Sequence, residues 1–148
     1  MLYKILVMAH ILGAALWIGG RGVLVGVVIP RAKRTGDIAH LQEFEKGIGR
    51  IGLASLVVQL VTGLWLTTHW LGGLDALLRP TNPIAHMALT KIALLVALVG
   101  LAGYAHHRML PRLEPRALGA FTVHAWVTAT LSVLLLVLGV GIRTGGLW

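Results

Sequence analysis

Four stretches of the chain, about residues 4–30, 51–70, 84–106 and 120–143, are apolar over the roughly twenty residues that a helix needs to cross a ~30 Å hydrocarbon core. With 148 residues, 57% of them hydrophobic and 12% charged, four spans and short connections use up the length and leave no room for a soluble domain. The expected architecture is an all-α integral membrane protein: one four-transmembrane-helix bundle over residues 1–148, with the lipid bilayer as its surroundings. The first stretch is too long for a signal-peptide core, and Gly13, Gly19, Gly20 and Arg21 offer no convincing cleavage pattern, so it is expected to stay as a span.

The net charge of +8 could suggest nucleic acid, but the basic residues are confined mainly to two connections. Arg31, Lys33, Arg34, Lys46 and Arg50 lie between spans one and two, and Arg108, Arg112 and Arg116 between spans three and four. Lys4, Arg79 and Arg143 stand on the opposite side. Eight against three places both connections in the cytoplasm and both termini in the periplasm, the arrangement of a multi-pass protein of a bacterial inner membrane. The basic excess is therefore read as topology, and nucleic-acid binding is not expected. Within the first connection, Ile38, Leu41 and Phe44 fit one face of a short amphipathic helix at the inner surface, with His40 on its solvated side. Gly72, Gly73, Pro80 and Pro83 predict a turn-rich outer cap, and Asn82 a start signal for span three. Trp65, Trp70, Trp126 and Trp148 are expected as interfacial anchors.

Polar residues inside apolar spans carry the functional signal, because each costs a few kcal/mol in hydrocarbon and so tends to face a protein interior, a water-filled path or a cofactor. No cysteine is present, which excludes thiolate sites and iron–sulfur clusters and leaves histidine, methionine and oxygen ligands. At ~1.5 Å per residue, His10 lies ~9 Å inside the outer end of span one, with Lys91 at comparable depth in span three. His69 and His86 stand at the outer ends of spans two and three, so His10, His69, His86 and Lys91 are one candidate cluster. His106, His107 and Arg108 close span three, His124 opens span four, and Arg21 points to the same inner region; these form the other candidate.

Two histidines on different helices at one depth suit the axial ligation of haem iron, with arginines such as Arg21 and Arg108 for the propionates. Copper is the second metal to weigh, with His10, His86, His69 and His124 as the metal candidates. Imidazole suits it and thioethers suit Cu(I), but Met8, Met87 and Met109 form no continuous ladder. Gly13, Gly19, Gly20, Gly63, Gly100 and Gly103 can admit a flat macrocycle or, the plainer reading, close helix packing. His10 likewise has a plainer reading, a hydrogen bond between helices. No tandem repeat is visible, and inverted symmetry between the halves is too weak to use.

The run from His10 through Trp17-Ile-Gly-Gly20, the segment Phe44-Glu45 to Arg50-Ile-Gly, Thr62-Gly-Leu-Trp, the stretch from Lys91 to His107-Arg-Met-Leu-Pro-Arg112 and the ending Gly139-Val-Gly-Ile-Arg143-Thr-Gly-Gly resemble the CopD-type membrane proteins, named for copper resistance protein D. The resemblance covers nearly the whole chain and implies copper handling. It also implies a histidine directly after the Gly-Gly of span one; this chain has Arg21 there, which turns a ligand position into a propionate partner. A more distant resemblance, through His10, Trp-x-Gly-Gly and Lys91, is to the HemJ-type protoporphyrinogen oxidases and implies a haem-associated redox role. The expectation is thus a membrane protein binding haem b, with copper as a further metal, in electron transfer or a small redox reaction. Its partners would be a membrane or periplasmic redox partner or a quinone, or a second copy in a homo-oligomer. The alternatives are a copper uptake or resistance protein with a histidine-lined route and a structural subunit whose histidines only join helices.

Overall fold

The computed structural model describes residues 1–78 and 83–144, all of whose regular structure is helical. The expectations for Arg79, Pro80, Asn82 and Trp148 lie outside the described residues. Four long helices, α1 (Leu2–Thr35), α2 (Ile38–Leu71), α4 (Pro83–Arg112) and α5 (Pro115–Thr144), are long and apolar enough to cross a membrane; a single short helix, α3 (Leu74–Leu78), follows α2. The protein is a multi-pass membrane protein. A helix satisfies its own backbone polar groups, which hydrocarbon cannot, so an apolar chain of this kind crosses as helices.

The helices are longer than the apolar runs suggested. Thirty-four residues in α1 and in α2 span about 51 Å at ~1.5 Å per residue, well beyond the hydrocarbon core. The connection between them is correspondingly small. Gly36 adopts the left-handed conformation (φ 72°) and returns its N–H to Ala32 at 2.9 Å, while the Asp37 carboxylate accepts from His40 N–H at 3.0 Å and starts α2. Residues 38–44 are therefore the first turns of α2 and not a separate surface helix. Leu41 is fully buried, and Ile38 and Phe44 pack against the same core; His40 is exposed as expected. At the adjacent turn Gln42 donates to the carbonyls of Leu110 (2.9 Å) and Leu113 (3.4 Å), capping the end of α4.

Each helix packs against two others, in the cyclic order α1, α2, α4, α5, so α1 faces α4 across the centre. The ends that carry the termini meet where the Tyr3 hydroxyl accepts from Trp70 Nε1 (3.1 Å) and Arg143 (3.3 Å). We call this the terminal end, and the one with Gly36 and Glu114 the basic end. Two apolar clusters fill the bundle. Leu24, Val28, Leu41, Leu110 and Phe121 pack at the basic end; Trp17, Leu56, Leu95, Leu98 and Leu135 pack near the middle. Close approach of α1 and α2 depends on missing side chains. A Cβ on Gly13 would lie 3.1 Å from the Ser55 carbonyl oxygen, and one on Gly52 3.0 Å from the Trp17 ring. Gly20 packs likewise on Ile48, whereas Gly19, Gly100 and Gly103 have no such neighbour.

The two halves repeat. Pro30 and Pro111 lack the N–H that a regular helix would use, and just before each the helix widens: Ile29 N–H bonds the Leu24 carbonyl, and Leu110 N–H the Ala105 carbonyl. His10 stands twenty residues before Pro30, and Lys91 twenty residues before Pro111. Each hairpin, α1–α2 and α4–α5, thus carries one nitrogen-bearing side chain at the same level.

Candidate functional site

In the terminal half the bundle holds a half-open cavity of about 870 Å³, lined mainly by apolar side chains from all four long helices, with Gln59, Ser132, His10 and Lys91 among its polar residues. His10 and Lys91 reach it from diagonal helices. Each lies flush on a glycine of the helix that follows it: a Cβ at Gly63 would come 3.0 Å from His10 Cε1, and one at Gly139 2.7 Å from Lys91 Nζ. These two glycines give the side chains room to lie against the neighbouring backbone.

Thr62 orients His10. Its hydroxyl donates to the Val58 carbonyl at 2.6 Å, the usual bond of a helical threonine to the preceding turn, and so has only lone pairs left for His10 Nδ1 at 2.8 Å. The imidazole therefore carries its proton on Nδ1 and keeps Nε2 as a lone-pair nitrogen. This arrangement is the one used to hold a metal-binding imidazole in a fixed tautomer. Arg143 and Tyr3 also line the cavity toward the terminal end.

A second polar group lies between the two apolar clusters. Arg21 and Glu45, each with an 8% exposed side chain, form an ion pair with N···O distances of 3.0 and 3.3 Å, and the guanidinium sits 4.6 Å over the Trp17 ring. Trp17 in turn donates from Nε1 to Ser132 at 2.7 Å, and Ser132 donates to the Thr128 carbonyl at 2.6 Å. His124 comes near enough to Arg21 and Glu45 to feel both charges, beside the Leu101 backbone and 6.3 Å from the Tyr104 ring. Its Nε2 is buried without a partner. His106 reaches the same layer: a Cβ on Gly49 would stand 3.5 Å from His106 Nδ1 and 3.3 Å from Glu45 Oε2.

Of the residues expected to gather at the outer level, the structure brings together His10 and Lys91. His69 is exposed and stacked on Trp65 (5.0 Å between centroids, 7° between planes), and His86 is exposed on α4; neither lines the cavity. At the inner level Arg21, His106 and His124 converge, while His107 and Arg108 are exposed at the basic end. Arg21 has its charge met by Glu45, which differs from the propionate role expected of it. Glu45 itself was passed over as a site residue, although it stands four residues after Leu41, on the face that enters the core. Among the described residues no three His, Asp or Glu side chains gather as a metal-ion site. Compared with known proteins, the chain matches no family model, no curated protein and no solved structure.

Proposed function

We propose that this protein binds haem b in the terminal-half cavity, with His10 as an axial ligand, and acts in electron transfer or a small redox reaction. The observation that carries this reading is His10 itself: an imidazole with Nδ1 tied to Thr62 and Nε2 left with its lone pair, lining an apolar cavity. The fit is reasonable in size and chemistry. About 870 Å³ falls within the ~300–1,000 Å³ of small-molecule and cofactor sites. Lys91, placed by the second hairpin as His10 is by the first, would face the cofactor from the diagonal helix, and Arg143 would offer a cation for a carboxylate near the terminal end. When bound, haem supplies a one-electron iron couple whose potential follows its axial ligands and the dryness of the site.

The resemblance to CopD-type and HemJ-type proteins supports a metal- or haem-associated role, through His10 and Lys91 in the second case. The charge asymmetry supports a bacterial inner membrane with the basic end in the cytoplasm and the termini in the periplasm, which puts the cavity in the periplasmic half. A periplasmic or membrane redox protein, or a quinone, would then reach it most directly. For copper the His10 imidazole serves equally, but Met8 is exposed on the outside of the bundle and adds no thioether to it. Absorption spectra of the purified protein, air-oxidised and then dithionite-reduced, test the reading. Soret and α bands are expected, lost or shifted in His10→Ala while the protein still inserts. Absence of the bands in protein made with haem supplied, or a spectrum indifferent to His10→Ala, refutes it; metal analysis of the same sample addresses copper.

A further inference from the structure

We propose that His124, Glu45 and His106 form a proton-exchange site within the bundle, open to the aqueous phase at the basic end and closed toward the cavity. This does not rest on a cofactor being bound. The first observation is the unpartnered Nε2 of His124. A buried polar atom left without a hydrogen bond costs about 1–3 kcal/mol, so it persists where a mobile proton or water serves it. Glu45 Oε1 is buried as well, with its charge met by the Arg21 guanidinium at 3.0 Å but with no aligned hydrogen bond. Two buried polar atoms therefore lie close to one fixed cation.

The second observation is the way in. Gly49, lacking a side chain, lets Glu45 Oε2 and His106 Nδ1 both come close to one point of the α2 backbone, where a Cβ would meet them at 3.3 and 3.5 Å. His106 lies in the widened turn Ala105–Met109, half-buried, and the exposed His107 beside it meets its ring edge-on at 5.2 Å. Groups able to take and pass a proton thus run from the surface inward as His107, His106, Glu45 and His124. The third is the closure. Above the layer, Trp17, Leu56, Leu95, Leu98 and Leu135 pack as an apolar plug, and the Trp17 N–H is already committed to Ser132.

The charges facing His124 are Arg21 from α1 and Glu45 from α2, with the Tyr104 ring and the Leu101 backbone from α4. Arg21 and Glu45 cancel, so one proton taken up on His124 Nε2 adds a single positive charge to the layer. No bond other than N–H forms, and the proton comes from water at the basic end. Such a layer can answer a change of charge elsewhere in the bundle without opening a path through the membrane.

The test is deuterium exchange at the imidazole C2 position, followed by mass spectrometry on the full chain in nanodiscs, in heavy water across a pH series. The rate at each histidine reports its own protonation and its access to water. The expected result is a sigmoidal pH profile at His124 in the wild-type protein. His106→Phe and Gly49→Val should each slow His124 by roughly tenfold, the effect of about 1.4 kcal/mol on a barrier, and leave His10 unchanged. His10 serves as the check on folding, because a loosened bundle would speed both histidines. His124 exchange unaffected in His106→Phe overturns the proposal, as does a His124 that fails to exchange at any pH in the wild type.

Discussion

Removing one partner of the Arg21–Glu45 pair should be among the most damaging single changes to this bundle. Both side chains are 8% exposed and lie between two apolar clusters, so neither charge can turn to water when the other is lost. Glu45→Gln keeps size and shape but leaves a guanidinium buried with Trp17 and a neutral amide for company. Breaking a buried pair in this way costs about 3–5 kcal/mol. The cation–π contact at 4.6 Å is present before and after the change and cancels, so a loss of about 3–5 kcal/mol is the expectation for this variant. Replacing both residues, Arg21→Met with Glu45→Leu, removes the desolvation cost along with the attraction and should fall within about 1 kcal/mol of the wild type, since apolar replacements of buried pairs are commonly neutral or better. Reversible unfolding in mixed micelles, titrated with dodecyl sulfate and read by tryptophan fluorescence, gives the double-mutant cycle. A Glu45→Gln protein within about 1 kcal/mol of the wild type would refute the argument, as would a double variant that loses as much as the two single variants summed, because either result means that the two charges do not depend on each other.

Three further outcomes are expected. Thr62→Val deprives His10 Nδ1 of its 2.8 Å partner and should cost about 0.6–2 kcal/mol, the range for a hydrogen bond between membrane helices; it should also shift the Soret band of the haem-loaded protein, and an unmoved band would separate Thr62 from the site. Trp17→Phe keeps the ring over Arg21 but loses the 2.7 Å bond to Ser132, and Ser132→Ala should remove the same bond for a similar loss of about 1 kcal/mol. If the two losses simply add in the double variant, as measured in the same unfolding titration, that bond is not what either residue contributes. A periplasmic reporter fused after Trp148 should be active and one inserted near Gly36 inactive, following the eight-to-three division of basic residues. The reverse pattern would put the cavity in the cytoplasmic half.

Much of the site could be found from residue type and depth. His10 and Lys91 stood out because a nitrogen base or a cation in an apolar run needs a reason to be there, and both do line one cavity. His69 and His86 were not separable from them by depth alone, since depth fixes the level along a helix but not the direction in which a side chain points. His69 faces outward onto Trp65, and His86 is exposed. Glu45 was hidden by its neighbours: Lys46, Glu43 and Arg50 made the segment look like a solvated surface helix. The two-residue turn at Gly36–Asp37 instead continues α2 through it and brings Glu45 under Arg21. The repeat of the two hairpins was equally hard to see, because it is carried by backbone features at Pro30 and Pro111 and by the pairings His10 on Gly63 and Lys91 on Gly139, not by similar side chains.

What the sequence by itself determined is the class of fold: four apolar stretches of spanning length, few charges outside the connections and prolines and glycines near the turns admit a helical membrane bundle. That follows from the solvent, since hydrocarbon penalises every unpaired backbone group and every unmet charge wherever the helices happen to face. What only the tertiary structure decided is which polar groups meet. Arg21 with Glu45, Trp17 with Ser132, His10 with Thr62 and Lys91 over Gly139 depend on the rotation and separation of neighbouring helices. Those quantities are set by the summed packing of small residues such as Gly13 and Gly52 against large ones on another helix, contacts between positions about forty residues apart whose strength no local pattern carries.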